Sequence, residues 1–425
     1  MFPQFNRYTR SDSLIEMIRS FGRLKKNPKA VLLLDPLWTI PFNLYLPFAT
    51  LYMFALGLGD VEIGILLSVG MFANFIMALL GGVITDKFGR KRTLLWGDFI
   101  AWSIPVLILA FAQNFWWFLI AALFNSIMHI AQIAFECCWL DDMEEDEMPI
   151  FINLLHILWL TAVFAALVSG FFVERYSLVP VMRILYLFAF VVMTGRLVIM
   201  KFVLNETKRG NERMEATKES SIINQLSGYK DVFLLILKTP PMRRLLILLP
   251  MVSIFQMITG TFFALYMTQD LQINEYFLAY FPVIRAGVGL LFFFFIQNRL
   301  GRFKRLHLMG VGMVLFIAGH IMLLTAPPQN IPWLLVYALM DAWAAALFFP
   351  RLDALVFSSI DAEERARCRS LINVLVLAIV SPFGFLAGYL SDINRRLPFG
   401  LNMVLFACMI CFLLIVDKNK KEVPA

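Results

Sequence analysis

Twelve stretches of about 20 consecutive, mostly apolar residues dominate this sequence. A helix needs roughly that length to cross the hydrocarbon core of a bilayer. Residues 290–296 are apolar at every position, so the alternating pattern of a spanning β-barrel is missing. The sequence therefore predicts an all-α membrane protein with twelve transmembrane helices. The predicted spans, numbered 1 to 12 in chain order, are 32–56, 62–84, 94–112, 116–139, 150–173, 178–204, 244–268, 276–297, 306–325, 333–357, 370–390 and 398–416.

The composition favours the same conclusion. Hydrophobic residues make up 60% of the 425 residues and charged residues only 16%, whereas soluble domains carry about 25% charged residues. A soluble fold of this size could not hide so much apolar surface from water. The composition therefore argues against a soluble enzyme, a nucleic-acid-binding protein and a disordered chain. The expected surroundings are the lipid bilayer, with no nucleic acid as a partner.

The distribution of basic residues predicts the orientation in the membrane. An even number of spans places both termini on one face, which receives 30 of the 37 Lys and Arg residues. The opposite face receives only three, which are Arg175, Arg395 and Arg396. Basic loops are retained on the cytoplasmic side of a cell membrane. We therefore expect a multi-pass protein of the cell membrane with both termini in the cytoplasm.

The longest polar stretch between spans lies near the middle of the chain and separates two groups of six spans. The expected regions are a cytoplasmic amphipathic N-terminal segment (1–30), an N-terminal six-helix half (31–204), a cytoplasmic central loop (205–243), a C-terminal six-helix half (244–416) and a cytoplasmic tail (417–425). Within the first region, residues 11–26 have the apolar and basic faces of a helix that lies on a membrane surface.

A short motif repeats between the two halves. The sequence of residues 86–90, DKFGR, follows span 2, and residues 298–302, NRLGR, follow span 8, which is 212 residues later and half the chain length. Internal duplication is common in transporters and places the substrate site between the two halves.

The loop after span 2 also resembles the loop motif of the major facilitator superfamily. Its sequence is Gly82-Val-Ile-Thr-Asp86-Lys87-Phe-Gly89-Arg90-Lys91-Arg92, and the weaker second copy retains Arg299, Gly301 and Arg302. The resemblance implies a twelve-helix fold of two pseudo-symmetric halves. It implies a secondary transporter that works by alternating access, and not an enzyme. It also implies that the loop is a cytoplasmic latch that opens and closes during transport.

The residue types in the latch have physical reasons. Gly82 would let two helices approach closely, and Gly89 permits a turn with positive φ. Asp86 could cap a helix or form an ion pair.

An acidic run, 141–147, follows span 4. It either faces the basic latch residues or is a solvated group of charges, since exposed ion pairs contribute about 0–1 kcal/mol each.

Polar residues inside the spans are the candidates for the transport pathway, because each needs a partner or a cavity. Span 4 carries Asn125, His129, Gln132 and Glu136 at i, i+4, i+7 and i+11, which is one stripe of a helix. This stripe either lines a wet cavity or forms hydrogen bonds between helices. Asn43 of span 1 and Gln256 of span 7 are further candidates. The resemblance implies that spans 1, 4, 7 and 10 line the cavity.

A pair of opposite charges is the expected centre of the site. Span 10 carries Tyr337 and Asp341 one turn apart, and span 8 carries Arg285 near its middle. Asp341 could load and release a proton, as proton-coupled transport requires. Arg285 remains charged, so it either pairs with a carboxylate or binds an anionic or zwitterionic substrate.

Four further charges lie inside the spans or near their ends. Asp35-Pro36 has the pattern of an N-cap and a first helical residue, which would leave Asp35 at the membrane interface. Asp98 lies one turn inside span 3 and is assigned to the latch. Arg351 lies near the cytoplasmic end of span 10. Arg196 of span 6 is expected to extend its side chain toward the cytoplasm.

The leading functional hypothesis is a secondary active transporter that moves a small solute, coupled to protons and acting as a monomer. A multidrug efflux proton antiporter and a lysolipid flippase are the alternatives. No Gly-rich phosphate-binding loop is visible, so ATP is not the expected energy source. We expect no cofactor and no metal ion.

Overall fold

The computed structural model describes residues 21–22, 24–144, 147–219, 229–359 and 365–421. All regular secondary structure in these ranges is helical. As predicted, twelve helical segments are long and apolar enough to cross a membrane. In chain order they are Lys26–Ala55, Asp60–Phe88, Arg90–Ala110, Phe115–Leu140, Phe151–Tyr176, Leu178–Val203, Pro240–Asp270, Glu275–Phe292, Arg305–Leu324, Ile331–Ser358, Cys368–Ile393 and Leu397–Ile415.

Several spans are interrupted by kinks and short turns of other helix types. Span 1 contains Lys26–Leu34, Pro36–Tyr45, a 3-10 turn Leu46–Phe48 and Ala49–Ala55; span 3 contains Arg90–Asp98, a π turn Phe99–Ser103 and Ile104–Ala110. Span 4 contains Phe115–Asn125 and Met128–Leu140; span 5 contains Met148–Ala162 and Ala165–Tyr176. Span 7 contains Pro240–Leu265 and a π turn Tyr266–Asp270; span 8 contains a 3-10 turn Glu275–Ala279 and Tyr280–Phe295. Proline explains two breaks in span 1, because Pro36 and Pro47 lack the N–H group that continues the helix.

Span 1 begins earlier than predicted, and this corrects the expected position of Asp35. The helix starts at Lys26 because the polar Asn27 finds buried partners there: its side chain donates to Asp142 Oδ2 (2.7 Å) and to the carbonyl of Asn205 (2.9 Å). Pro36 does start a new helical segment. Asp35, however, caps no backbone N–H, and only 2% of the residue is exposed. The prediction of an interfacial Asp35 was therefore wrong.

The central region is partly helical rather than a loop throughout. It contains a first linker helix, Lys208–Thr217, and a second linker helix, Tyr229–Lys238. Helices also extend beyond the predicted ends of spans 11 and 12, where their bounds are Arg365–Ile393 and Leu397–Lys421. Most of the predicted amphipathic segment, 11–20 and 23, lies outside the described residues, so this prediction is untested.

The two halves pack together through small residues at one end of the spans. A Cβ atom added to Gly64 of span 2 would lie 2.7 Å from the carbonyl oxygen of Gly384 and from Cα of Gly388, both in span 11. A Cβ added to Gly170 of span 5 would lie 2.9 Å from Cβ of Ala279 at the start of span 8. These contacts lie toward the membrane face opposite to both chain termini, which we call the opposite face. The face that carries the termini is called the termini face.

Gly388→Ala is expected to weaken the contact between spans 2 and 11. The new methyl group would lie 2.6 Å from the carbonyl oxygen of Asp60 and 2.7 Å from Cα of Gly64, so backbone must move. Such overpacking costs about 1–3 kcal/mol. The purified variant should therefore melt at a lower temperature than the parent. Gly260→Ala is the matched control, since its Cβ meets no atom within 4 Å; equal melting temperatures for both variants would contradict the close contact.

Candidate functional site

The predicted pair of opposite charges forms between spans 8 and 10. Nε of Arg285 lies 3.7 Å from Oδ2 of Asp341, which is longer than a hydrogen bond. The other carboxylate oxygen, Oδ1, is buried and has no hydrogen-bond partner in the described part of the chain. Tyr337 is buried one turn away on the same helix, with its ring 5.8 Å from the ring of Phe263. The structure thus brings Arg285, Asp341 and Tyr337 together, and leaves Asp341 able to accept another partner.

The exposure of Arg285 indicates that the pair borders a cavity. The arginine side chain is 38% exposed, whereas that of Asp341 is 12% exposed. The guanidinium lies 5.6 Å from the ring centroid of Phe349. A charged group exposed to hydrocarbon is costly, so exposed charges in spans face water-filled spaces. The arrangement places a partly exposed cation in front of a more deeply buried carboxylate.

A buried polar cluster lies beside this pair and was not predicted. Nδ1 of His320 in span 9 lies 2.9 Å from the carbonyl oxygen of Phe316, so this nitrogen donates. Nε2 then accepts from the side-chain amide of Asn402 in span 12 (3.3 Å), which also reaches Oγ1 of Thr259 (3.3 Å) in span 7. His320 is within electrostatic range of Asp341. A signal was present in the sequence, since a His and an Asn in two apolar spans each require a partner.

The polar stripe of span 4 divides into two parts. The side chains of Gln132 and Glu136 are exposed and joined by a hydrogen bond of 3.2 Å. His129 is half-buried, and its buried Nε2 has no hydrogen-bond partner among the described residues. Asn125 instead donates to the carbonyl of Ala101 (2.9 Å) in the π turn of span 3. The part of the stripe nearer the termini face, from His129 to Glu136, is thus open to a ligand, whereas Asn125 forms a hydrogen bond that joins spans 3 and 4.

The remaining predicted pathway residues lie apart from the Arg285–Asp341 pair. Asn43 donates to the carbonyl of Thr39 (2.8 Å) one turn earlier in its own helix. Gln256 is exposed in span 7. Arg351 donates to the carbonyl of Leu347 (2.9 Å) in its own helix. Asn43 and Arg351 thus each have a hydrogen-bond partner within their own helix.

A second charge cluster lies inside the N-terminal half. NH1 of Arg196 donates to Oδ2 of Asp98 (2.9 Å), and NH2 lies 3.9 Å from Oδ1 of Asp35. The indole N–H of Trp159 donates to Oδ2 of Asp35 (2.7 Å), and the Thr39 hydroxyl lies 2.8 Å from the same oxygen. We call Asp35, Asp98 and Arg196 the buried triad.

The buried triad corrects two expectations. Arg196 is 3% exposed, so its side chain does not extend to the cytoplasm. Asp98 pairs with Arg196 rather than with the latch. Both expectations failed for one reason: each charge was considered in its own helix, whereas its partner comes from another span.

The latch loop contains a network of buried ion pairs. Arg90 donates through NH1 to Asp86 (2.7 Å) and through Nε to Asp141 (3.3 Å) of the acidic run. The Glu206 carboxylate accepts the backbone N–H groups of Arg90 (2.9 Å) and Lys91 (3.1 Å), which are unpaired donors at the start of span 3. The start of the central region therefore holds the loop in place.

The glycines of the latch behave in two ways. Gly89 has φ +87°, the positive value that the turn was predicted to need. A close helix contact occurs at Gly81, whose added Cβ would lie 3.2 Å from the carbonyl oxygen of His129; the close contact expected at Gly82 stays a prediction. In the second copy of the motif Arg299 is exposed. Gly301 lies in the 3-10 turn Gln297–Arg302, whereas the side chain of Arg302 and the acidic residues 145–146 lie outside the described part of the chain.

An ion pair joins the two halves at the opposite face. Arg395, which follows span 11, donates to both carboxylate oxygens of Asp60 at the start of span 2 (3.0 and 3.1 Å). Ser391 donates to Asp60 Oδ2 (2.6 Å), and Asp270 of span 7 lies 3.8 Å from Arg395. Asp60 is 3% exposed. We call Asp60, Ser391 and Arg395 the external lock.

The sequence contained a signal for the external lock that was not used. Arg395 is one of only three basic residues predicted on its membrane face. Side-chain hydrogen bonds between the two halves occur at spans 2 and 11 and in the loop after span 11: besides the lock, Ser68 accepts the N–H of Phe385 (2.6 Å). These bonds hold the halves together toward the opposite face, and at the other end Glu136 of span 4 lies within electrostatic range of Arg369 of span 11.

Comparison with known proteins identifies the class. A family model described as Major Facilitator Superfamily matches residues 39–384. The chain belongs to the major facilitator superfamily, as the loop motif indicated, and is a multi-pass membrane transporter of that fold. A search of curated protein sequences finds no match to this chain.

Solved structures share the fold at low sequence identity. The nucleoside transporter NupG is similar with a TM-score of 0.66 and 17% identity, over 94% of this chain and 100% of that one. A POT family transporter in complex with a thioalcohol-conjugated peptide has a TM-score of 0.67 and 14% identity, over 96% and 100%. A POT family transporter in complex with 5-aminolevulinic acid has a TM-score of 0.67 and 14% identity, over 93% and 98%.

Proposed function

We propose that this protein is a proton-coupled secondary transporter of small solutes that carry a carboxylate or a similar anionic group. It acts as a monomer in the cell membrane, with both termini in the cytoplasm. The observation that carries the proposal is the loose Arg285–Asp341 pair, in which a partly exposed guanidinium lies 3.7 Å from a buried carboxylate. The POT family structure with 5-aminolevulinic acid supports the substrate class, since that ligand carries a carboxyl group.

The geometry couples solute and proton by competition for Arg285. An incoming carboxylate makes two charge-assisted hydrogen bonds with a guanidinium, and so draws Arg285 away from Asp341. The carboxylate left behind has no other cation among its described contacts, and a buried unpaired charge is costly. Asp341 therefore takes up a proton when the solute binds. Loss of the solute allows Arg285 to return and Asp341 to release its proton.

The contacts between the halves define the state of the cycle. With the termini in the cytoplasm, the opposite face is the outer face, so the external lock closes the outer end of the pathway. Gln132 and Glu136 are then reached from the cytoplasm. We assign this arrangement to the inward-open state of alternating access, in which solute and proton are released or loaded on the inside.

A ligand panel tests the substrate class. The melting temperature of the purified protein is measured with carboxylates, amino acids, short peptides, nucleosides, lipophilic cations and lysolipids. Carboxylate-bearing solutes should stabilise the protein because they bind only its folded state. In Arg285→Gln their affinity should fall at least about 30-fold, since removing one partner of a buried charge pair costs about 2–5 kcal/mol.

Arg183→Gln is the matched control for this panel. Arg183 is also a span arginine, but it is exposed near the outer end of span 6 and donates to the carbonyl of Ala112 (3.4 Å). This variant should keep the parent affinities. Stabilisation by cations alone would instead favour a multidrug efflux antiporter, and stabilisation by lysolipids alone would favour a flippase. Either outcome, or equal affinities in Arg285→Gln and the parent, would contradict the proposal.

A further inference from the structure

The buried triad contains more negative than positive charge. Asp35, Asp98 and Arg196 come from spans 1, 3 and 6, and each residue is 8% exposed or less. If all three were ionised, two carboxylates would share one guanidinium and the cluster would carry a net charge of minus one. An uncompensated charge in the interior of a membrane protein is costly. The cluster therefore needs one further positive charge.

Among the described residues, no other charge is found beside the triad. The electrostatic partners of Asp98 in the described structure are Arg196 and Asp35. From spans 4 and 5, Phe135 has its ring centroid 6.0 Å from the Arg196 guanidinium, and Trp159 donates its indole N–H to Asp35. The titratable His156 of span 5 lies behind this indole, with its ring 6.1 Å from that of Trp159. Thr39 contributes a neutral hydroxyl. The missing charge must come from solution.

We propose that the buried triad is a proton-binding site, in which Asp98 binds one exchangeable proton. The two carboxylates differ in what stabilises them as anions. Asp35 Oδ2 receives the Trp159 N–H and lies 2.8 Å from the Thr39 hydroxyl, whereas the one side-chain bond to Asp98 comes from Arg196. Hydrogen bonds to a carboxylate favour its charged form. The proton therefore binds to Asp98, whose side chain is also the more exposed of the two, 11% against 3%.

Protonation changes which helices the arginine joins. The proton from water binds a carboxylate oxygen of Asp98, and the Asp98–Arg196 ion pair is lost while Arg196 stays charged. Arg196 lies 3.9 Å from Asp35, and its buried Nε has no partner among the described residues, so it has capacity for a closer bond to Asp35. Binding of the proton thus replaces the Asp98–Arg196 bond between spans 3 and 6 by an Asp35–Arg196 bond between spans 1 and 6.

A crevice adjoins the site from the side of span 5. It has a volume of about 270 Å³ and lies between spans 1 and 5, lined by Pro36, Ile40, Leu158, Thr161, Ala162 and Ala165. Pro36 and Leu158 are the chain neighbours of Asp35 and Trp159. Trp159 is 40% exposed.

Infrared spectroscopy tests the site without any solute. A protonated carboxyl group has a stretching band separate from those of carboxylates and amides, and this band is followed with pH for the protein in liposomes. We expect a carboxyl band that titrates in the parent and is lost in Asp98→Asn. In Asp35→Asn the Asp98–Arg196 pair is neutral without a proton, so the band should appear only at lower pH. This second variant also serves if Asp98→Asn fails to fold.

Asp341→Asn is the control that separates this site from the proposed coupling site. It should keep the Asp98 band, so failure of the Arg285–Asp341 proposal would not affect this result. Two results would contradict the proposal: the absence from the parent of any band that depends on Asp98, or a band that is unchanged in both triad variants. Either result would show that the triad is a static ion cluster and would overturn the proposal.

Discussion

Asp341→Asn should abolish solute accumulation driven by a proton gradient, while exchange of solute across the membrane continues. The amide cannot take up a proton, but Arg285 remains free to bind the solute. A difference of one pH unit is worth about 1.4 kcal/mol per proton, which corresponds to about tenfold accumulation. The parent should approach that ratio in proteoliposomes, and the variant should not exceed equal concentrations on the two sides. Radiolabelled uptake, with and without the gradient, measures both quantities.

Asp353→Asn provides the matched control for this prediction. It makes the same chemical change in the same helix, at an exposed position nearer the termini face. Accumulation should be retained there. Proton-driven accumulation by Asp341→Asn at the parent level would remove Asp341 from the coupling mechanism.

Asp60→Asn should open the outer face. The substitution leaves Arg395 without the carboxylate that it contacts at 3.0 and 3.1 Å. Arg395 is 25% exposed and keeps Asp270 at 3.8 Å, so the loss of this hydrogen-bonded partner costs about 1–3 kcal/mol, enough to shift the equilibrium between closed and open forms by about fivefold or more. Spin labels at Glu174 and Asn274, which line a cavity of about 660 Å³ between the halves at this face, would report the change. The distance between the two labels should increase in the variant.

The labelling experiment needs a protein without reactive thiols. It also needs a control variant that loses a different charge. All five cysteines are free, and Cys408 and Cys411 are exposed, so they are replaced first. Glu62→Gln is the matched control, because Glu62 lies in the same first turn but caps Gly59 within its own helix (2.9 Å). Its label distance should equal that of the parent. If the label distance in Asp60→Asn also equals that of the parent, the Asp60–Arg395 pair does not hold the outer face closed.

The spans could be predicted because the bilayer fixes the length and polarity of a helix that crosses it. The same cost of charge in hydrocarbon pointed to Arg285 and Asp341, and the structure brings them together. Tyr337 was found through its helical spacing from Asp341. These predictions required only local sequence and the properties of the solvent.

The failed predictions concern contacts between distant parts of the chain. Asp35 has the local pattern of a cap, but its partners, Trp159 and Arg196, are more than 120 positions away. Asp60 and Arg395 are separated by 335 residues, and neither has a local pattern that predicts the other. Which helices touch is a property of the whole bundle, so a single sequence read span by span does not provide it.

Proton flux in proteoliposomes tests proton-coupled transport most directly. The purified protein is reconstituted with a pH-sensitive dye inside the vesicles, and solutes that stabilise it in the ligand panel are added outside without an imposed proton gradient. A solute gradient should move protons through the parent protein, and Asp341→Asn should show no such movement. Solute entry without proton movement in the parent would contradict the account, because binding at Arg285 would then not be linked to protonation of Asp341.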